Sequence, residues 1–326
     1  MIAPAALIVF AVLLALLGPV LLRRSTWLER APKIGIVAWQ ALSLSLLSTV
    51  LLAGSALALP AIPWTTDLAA LIRTCAMLLR EQYSTPGGAF VSAAGAVAVI
   101  AVLCRVAYCL VTGLAHAART QKMQLRTLAL IAEPHDKYDA LVIEHPSAAA
   151  YCLPGRNRQV VLTSATLTAL DHRQLAAVLA HERAHLQGRH HLILAVADAL
   201  QRAFPGIGAF PEARSALGRL VEMLADDAAA QRSDRLTVAT ALVRLAEHGM
   251  TPVAALGASG ESSLSRVQRL LDPARPLGAG KIIVATMGVG ALLALPLFFA
   301  VAPASASASA VGNMPQCQMD ATLWVL

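Results

Sequence analysis

The sequence predicts a membrane α-helical protein of four transmembrane helices carrying a cytoplasmic α+β domain, and three observations lead there. Of 326 residues, 57% are hydrophobic and 14% charged, whereas soluble domains run near ~45–50% and ~25%. Mean hydropathy is +0.63. Apolar runs long enough to cross about 30 Å of hydrocarbon occur three times before residue 118 and once after residue 281, with a polar stretch between. Collagenous, disordered and disulfide-scaffold classes are excluded, because they need glycine periodicity, low hydrophobicity or dense cysteine. The net charge of +7 does not by itself call for nucleic acid, because in a membrane protein cations first act as topology markers. No Lys/Arg run with interleaved aromatics occurs, so no direct nucleic-acid partner is expected.

Residues 2–22 are uncharged and lack the basic start of a signal peptide, while Arg23, Arg24, Arg30 and Lys33 follow. The positive-inside rule then puts the N-terminus outside and this loop in the cytoplasm. The second span is 34–63. Segment 64–87 mixes Asp67, Arg73, Arg80 and Glu81 with Leu68, Leu71, Ile72 and Met77, which reads as an amphipathic helix on the outer surface. Ser84-Thr85-Pro86-Gly87-Gly88 breaks it before a third span at 89–117. Arg119, Lys122 and Arg126 return the chain to the cytoplasm, and residues 118–281 form the soluble domain. A fourth span, 282–303, follows Lys281 and has no cation after it, leaving a short outer tail at 304–326. Arg105, inside the third run, reads as a cation snorkelling to the inner headgroups.

Within the domain, Ala140–Ile143 and Gln159–Leu162 read as strands, with 148–153 a further extended piece before Pro154-Gly155. From His172 the apolar spacing of Leu175, Val178, Leu179 and Leu186 is helical. That helix carries His181-Glu182-Arg183-Ala184-His185, an H-E-x-x-H motif. Residues four apart share a helix face, so both imidazoles can hold one zinc ion while Glu182 takes a proton from the attacking water.

Two residues compete as third ligand. His181–His191 also fits H-E-x-x-H-x-x-G-x-x-H through Gly188 and His191, the metzincin pattern. Metzincins leave the helix at the glycine, whereas 191–200 here is expected to continue as helix. The other candidate is Glu222, which shares a face with Asp226 four residues on. One carboxylate can bind zinc while the other accepts an imidazole N–H and fixes its tautomer.

These motifs and spans resemble the integral-membrane zinc metallopeptidases of the BlaR/MecR type, the beta-lactam sensor-transducers. The resemblance implies a zincin-like (gluzincin) fold with one Zn2+ per chain held by His181, His185 and Glu222. Glu182 would be the general base and Asp226 the carboxylate behind a ligand. It also implies that Ala148, Ala149, Ala150, Tyr151 and Cys152 form the edge strand on which an extended substrate pairs. The implied partners are a protein substrate such as a winged-helix repressor, the lipid bilayer and further copies of the chain. The implied location is the bacterial plasma membrane, with both termini outside and the protease domain cytoplasmic. The extracellular penicillin-binding domain of the full sensors is missing, so beta-lactam sensing by that route is not expected.

Regulatory proteolysis of a repressor is the leading functional expectation. Membrane-protein quality control is the enzymatic rival, and a non-catalytic signalling scaffold the rival from another class. By the expected topology only Cys75 and Cys317 face the oxidising side, which suggests a disulfide between them. Cys104 and Cys109 read as packing residues of a span and Cys152 as a buried strand residue. His190 reads as a polar cap near Gly188. Ala302–Ala310 reads as a small-residue linker that also imitates a signal-peptidase site.

Overall fold

The computed structural model describes residues 2–58, 87–155, 158–249, 256–272 and 277–312. The expected surface segment up to residue 86, and with it Cys75, lies outside the described residues, as does Cys317. The chain divides into two compact units. One contains Met1–Leu14, Leu44–Leu103 and Gly290–Leu326, the other Ala15–Ser43 and Cys104–Val289.

Four helices are long and apolar enough to cross a membrane: α1 (Ile2–Arg24), α3 (Pro32–Ala58), α4 (Gly88–Ile131) and α11 (Ala279–Gly312). In the first unit Ile8, Val12, Val97, Ile100 and Phe298 stand exposed, as residues facing lipid do. There α3 and α4 meet through glycine. A Cβ on Gly95 would lie 2.7 Å from the Gly54 carbonyl oxygen and 2.9 Å from the Ala58 nitrogen. Both are backbone atoms that cannot move aside, so this close approach needs the small residue. Ser45 Oγ donates to the Leu292 carbonyl at 2.7 Å, and the Phe10 and Phe299 rings lie 5.5 Å apart. The backbone of α11 is helical through the Ala/Ser run to Gly312, where the sequence suggests a linker.

The second unit holds α2 (Trp27–Arg30) and a four-stranded sheet in the order β1-β2-β4-β3. These strands are β1 (Ala132–His135), β2 (Ala140–Ile143), β3 (Ala150–Leu153) and β4 (Gln159–Thr163). β2 and β4 pair in parallel and the outer two pairs are antiparallel. β1, which periodicity does not reveal, is an edge strand containing Pro134, a residue tolerated there because it has no N–H to donate. β4 is central, and its Val160, Val161 and Leu162 are all buried because both its faces are covered. Val160 and Leu162 pack on α6 (His172–Gln187) through Leu175, Val178, Leu179 and Leu186. Val161 points the other way, onto Leu125 and Leu128 of α4. That contact explains why α4 continues past residue 117, where the span was expected to end, and runs unbroken for 44 residues.

α6 starts with a capping box: Asp171 accepts from the Arg173 and Gln174 N–H groups, and Gln174 Oε1 accepts from the Asp171 N–H. It ends at Gly188. Arg189 then turns left-handed at φ 48°, and α7 (His190–Ala203) begins on a new axis. The expected continuous helix is thus two helices with a break. After them come α5's successors in the core, α8 (Ala209–Arg232), α9 (Arg235–His248) and α10 (Leu256–Leu271), α5 itself being the short Ser164–Ala169 turn after β4. α8 buries Leu217, Leu220, Val221, Ala225 and Ala229 along α6 and α7.

Within this unit the soluble helices also grip the apolar ones. A Cβ on Gly35 of α3 would sit 3.1 Å from the Leu220 side chain. Arg105 does not snorkel: its Nε donates to the Ala203 carbonyl at 2.5 Å, satisfying a carbonyl at the end of α7. Arg202 reciprocates by donating to the Cys109 carbonyl at 2.9 Å.

Candidate metal centre

The centre is built where α6 crosses α8. On α6, His181 and His185 lie one turn apart, and their Nε2 atoms are 3.1 Å from each other. On α8, Glu222 brings Oε2 to 3.5 Å from His181 Nε2 and Oε1 to 3.5 Å from His185 Nε2. Ligands at about 2.0–2.1 Å from a tetrahedral zinc are separated by ~3.3 Å along each edge. The donor set, two imidazoles and a carboxylate within 4.8 Å of one another, therefore fits zinc. No helical reach brings His191 into this group. It is exposed on the first turn of α7, on the far side of the break after Gly188.

Behind the ligands lies a charged support. Asp226, one turn beyond Glu222, is 1% exposed and lies 3.0 Å from His181 Nδ1, close enough for an ion pair although outside ideal hydrogen-bond geometry. Arg266 of α10 grips Asp226 with both arms, Nε to Oδ2 and Nη2 to Oδ1, each at 2.7 Å. Its Nη1 sits 3.0 Å from Glu222 Oε2. One guanidinium thus positions Glu222 and Asp226 together. A neighbouring clamp, Arg269 on Asp227 at 2.8 and 2.9 Å, fixes the same helix pair and also donates to the Glu29 carbonyl.

The proton affinities follow from these contacts. Burial works to raise the Asp226 carboxyl, but the Arg266 hydrogen bonds and the adjacent His181 ring prevail and hold it at about 2. Burial likewise opposes ionisation of Glu222, and His181 and Arg266 outweigh it, so its pKa is lowered. Burial pulls His181 down while Asp226 and Glu222 push it up, to about 9 without a metal. His185 is pushed down to about 4, chiefly by burial. Such a ring stays neutral and keeps a lone pair available to a cation.

Glu182 is half-buried against β3, where it hydrogen-bonds with the Cys152 thiol, and burial raises its pKa. The same burial, with the Glu182 charge, pushes Cys152 up to about 12. That thiol is a packing and hydrogen-bonding group here, not a nucleophile.

β3 is an edge of the sheet, with no further strand paired to it among the described residues. The Thr163 N–H bonds to the Ala149 carbonyl. Antiparallel pairs alternate, so Tyr151 and Leu153 face β4 with their backbone groups, while Ala150 and Cys152 turn theirs outward. Ala148 and Ala149 precede the strand and have their N–H groups engaged by the His248 carbonyl and by Thr163 and Thr166 hydroxyls. Of the five edge residues named from sequence, two therefore offer open backbone.

Sequence reasoning missed two members of the centre. Arg266 reads as one more cation ahead of the last span, and nothing local ties it to residues 40 positions earlier. His190, expected as a polar cap near Gly188, is 3% exposed, and its Nδ1 lies 3.0 Å from His185 Nδ1. One proton between these nitrogens sets which nitrogen of His185 is free for metal. Gly188 makes the room: a Cβ there would run into the His190 ring. A glycine three residues past the motif was the available signal, and it marks space for a ring.

A helix-borne His/His/Glu group that could hold a metal, beside a sheet edge and in a chain with four membrane-length apolar helices, is the arrangement a membrane metallohydrolase needs. Residues 115–274 match the family model described as "Peptidase family M48". That family implies a zinc-dependent metallopeptidase. Comparison with curated proteins and with solved structures returned no match.

Proposed function

We propose that the protein is an integral-membrane zinc endopeptidase with a zincin-like catalytic domain that cuts extended protein segments at the cytoplasmic face. The carrying observation is the His181–His185–Glu222 donor triangle beside Glu182 and the free edge of β3. Backbone groups of Ala150 and Cys152 would pair with the substrate strand, laying the scissile peptide across α6 near Glu182. When bound, zinc supplies Lewis-acid polarisation of the carbonyl and acidifies water. Glu182, with its raised proton affinity, accepts the proton of the attacking water and returns it to the leaving amine. His181 is oriented by Asp226 and His185 by His190, so both rings keep Nε2 toward the donor triangle.

We further infer, from the likeness to the sensor-transducers, that the physiological substrate is one regulatory protein, such as a winged-helix repressor, with self-cleavage as an activating step. Terminal-peptide proteomics on cells expressing wild type or Glu182→Gln at matched levels tests this. A single Glu182-dependent target supports regulatory proteolysis. Many cut membrane proteins would replace it with quality control. Function unaffected by Glu182→Gln would leave only a scaffold.

A further inference from the structure

Beyond the metal centre, a hollow of about 210 Å³ opens past the end of β3, lined by Pro154, Gly155, Arg158, Leu186, Arg189 and His191 together with Leu192. Three of these side chains are cationic or basic, and none is acidic. Both arginines adopt left-handed backbone, at φ 40° and 48°. The arginine–carboxylate pairs among the described residues involve Arg183, Arg214, Arg266 and Arg269, so neither guanidinium of the hollow is neutralised there. Their field reaches His191, whose pKa is lowered first by burial and then by Arg189 and Arg158. A concave, uncompensated pair of guanidiniums is an anion receptor.

Its position says which anion. Cys152 touches Glu182, so the scissile bond lies opposite Cys152. Gly155 is three residues on, two past the end of β3 and so at most about 10 Å away. Leu186 and Arg189, from the end of the zinc helix, form the opposite wall. A peptide paired with β3 would pass from the metal centre directly into this hollow. The geometry points to a specificity subsite in which Arg158 and Arg189 receive an Asp or Glu side chain of the substrate two to four residues from the cleaved bond. This rests on the endopeptidase reading above.

The test uses the full-length, zinc-loaded protein in detergent with internally quenched peptides that carry Asp, Asn or Lys at one position at a time. Two ion pairs made by exposed arginines predict a kcat/KM roughly threefold to tenfold higher for Asp than for Asn at one such position. The gain appears in KM, and the Asp/Asn ratio falls to about one in the Arg158→Gln/Arg189→Gln double variant. Fluorescence anisotropy gives a readout without turnover. The Asp peptide binds Glu182→Gln protein more tightly than the Asn peptide, and the gap closes with added salt and with the double substitution. Equal ratios in wild type and double variant overturn the subsite. If no peptide is cut, the endopeptidase reading fails, and the anisotropy difference alone decides whether the hollow takes acidic peptide. If the double variant instead loses binding to anionic phospholipid vesicles with peptide ratios unchanged, the arginines serve headgroups and the subsite is overturned.

Discussion

Replacing Arg266 by Gln removes the guanidinium that holds two carboxylates, and the structure sets the size of the effect. Asp226 is 1% exposed and cannot rotate to water, so the variant must bury its charge with only His181 beside it or take up a proton. In the wild type, Asp226 is held at about 2 against an ordinary 3.8. That gap of nearly two units corresponds to about 2 kcal/mol. Breaking a buried ion pair by deleting one partner costs about 3–5 kcal/mol, so the two routes bracket the loss at roughly 2–5 kcal/mol. For a domain of this size, each kcal/mol lowers Tm by about 2–4 °C, which places the fall between roughly 4 and 20 °C. The sign with pH also follows. A depressed carboxyl contributes stability above its unfolded pKa of 3.8, and that contribution is lost as pH falls through about 2. The gap between wild type and variant should therefore be full at pH 6 and shrink below pH 4. Thermal scans of full-length protein by tryptophan fluorescence across that range, with Arg266→Lys alongside, make the measurement. Lysine keeps the charge but not the two-armed grip and should recover part of the loss. A variant as stable as wild type at pH 6 would falsify the claim that this guanidinium supports the centre.

Three further outcomes are expected. Because burial raises the pKa of Glu182, activity on a neutral peptide should decline as pH falls through a value above 4.5, with the base protonated. A kcat profile flat down to pH 4 would remove Glu182 as the base. Gly188→Ala should drive the His190 ring off His185, and His190→Phe should delete it. Each should weaken zinc about 10–100-fold in chelator competition, and the double variant should be no worse than the worse single, because both act on one contact. In the apolar unit, Gly95→Val places branched carbons against the Gly54 carbonyl. The purified variant should show a lowered Tm, and a value unchanged from wild type would count against the close α3–α4 approach.

What is local in this protein was legible from its sequence. Apolar runs of membrane length need only a count of residues, and all four correspond to helices. His181 and His185 share a face because α-helices repeat every 3.6 residues, as Glu222 and Asp226 do, whatever the rest of the chain does. β2 and β4 declare themselves by short apolar runs, but β1 is a four-residue edge strand with a proline, and its pairing with β2 supplies the order that propensity lacks. The choice between Glu222 and His191 could not be made locally. It depends on the helix break at Gly188–Arg189, which turns His191 outward, and on the packing of α8 across α6, which brings Glu222 in. Arg266 and His190 belong to the same category. A contact between residues 40 positions apart, or across a break that resets helical phase, leaves no period in the sequence. Tertiary packing alone decided which cation neutralises the buried carboxylates and which ring fixes His185, because burial sets both the cost of an unpaired charge and the partner able to meet it.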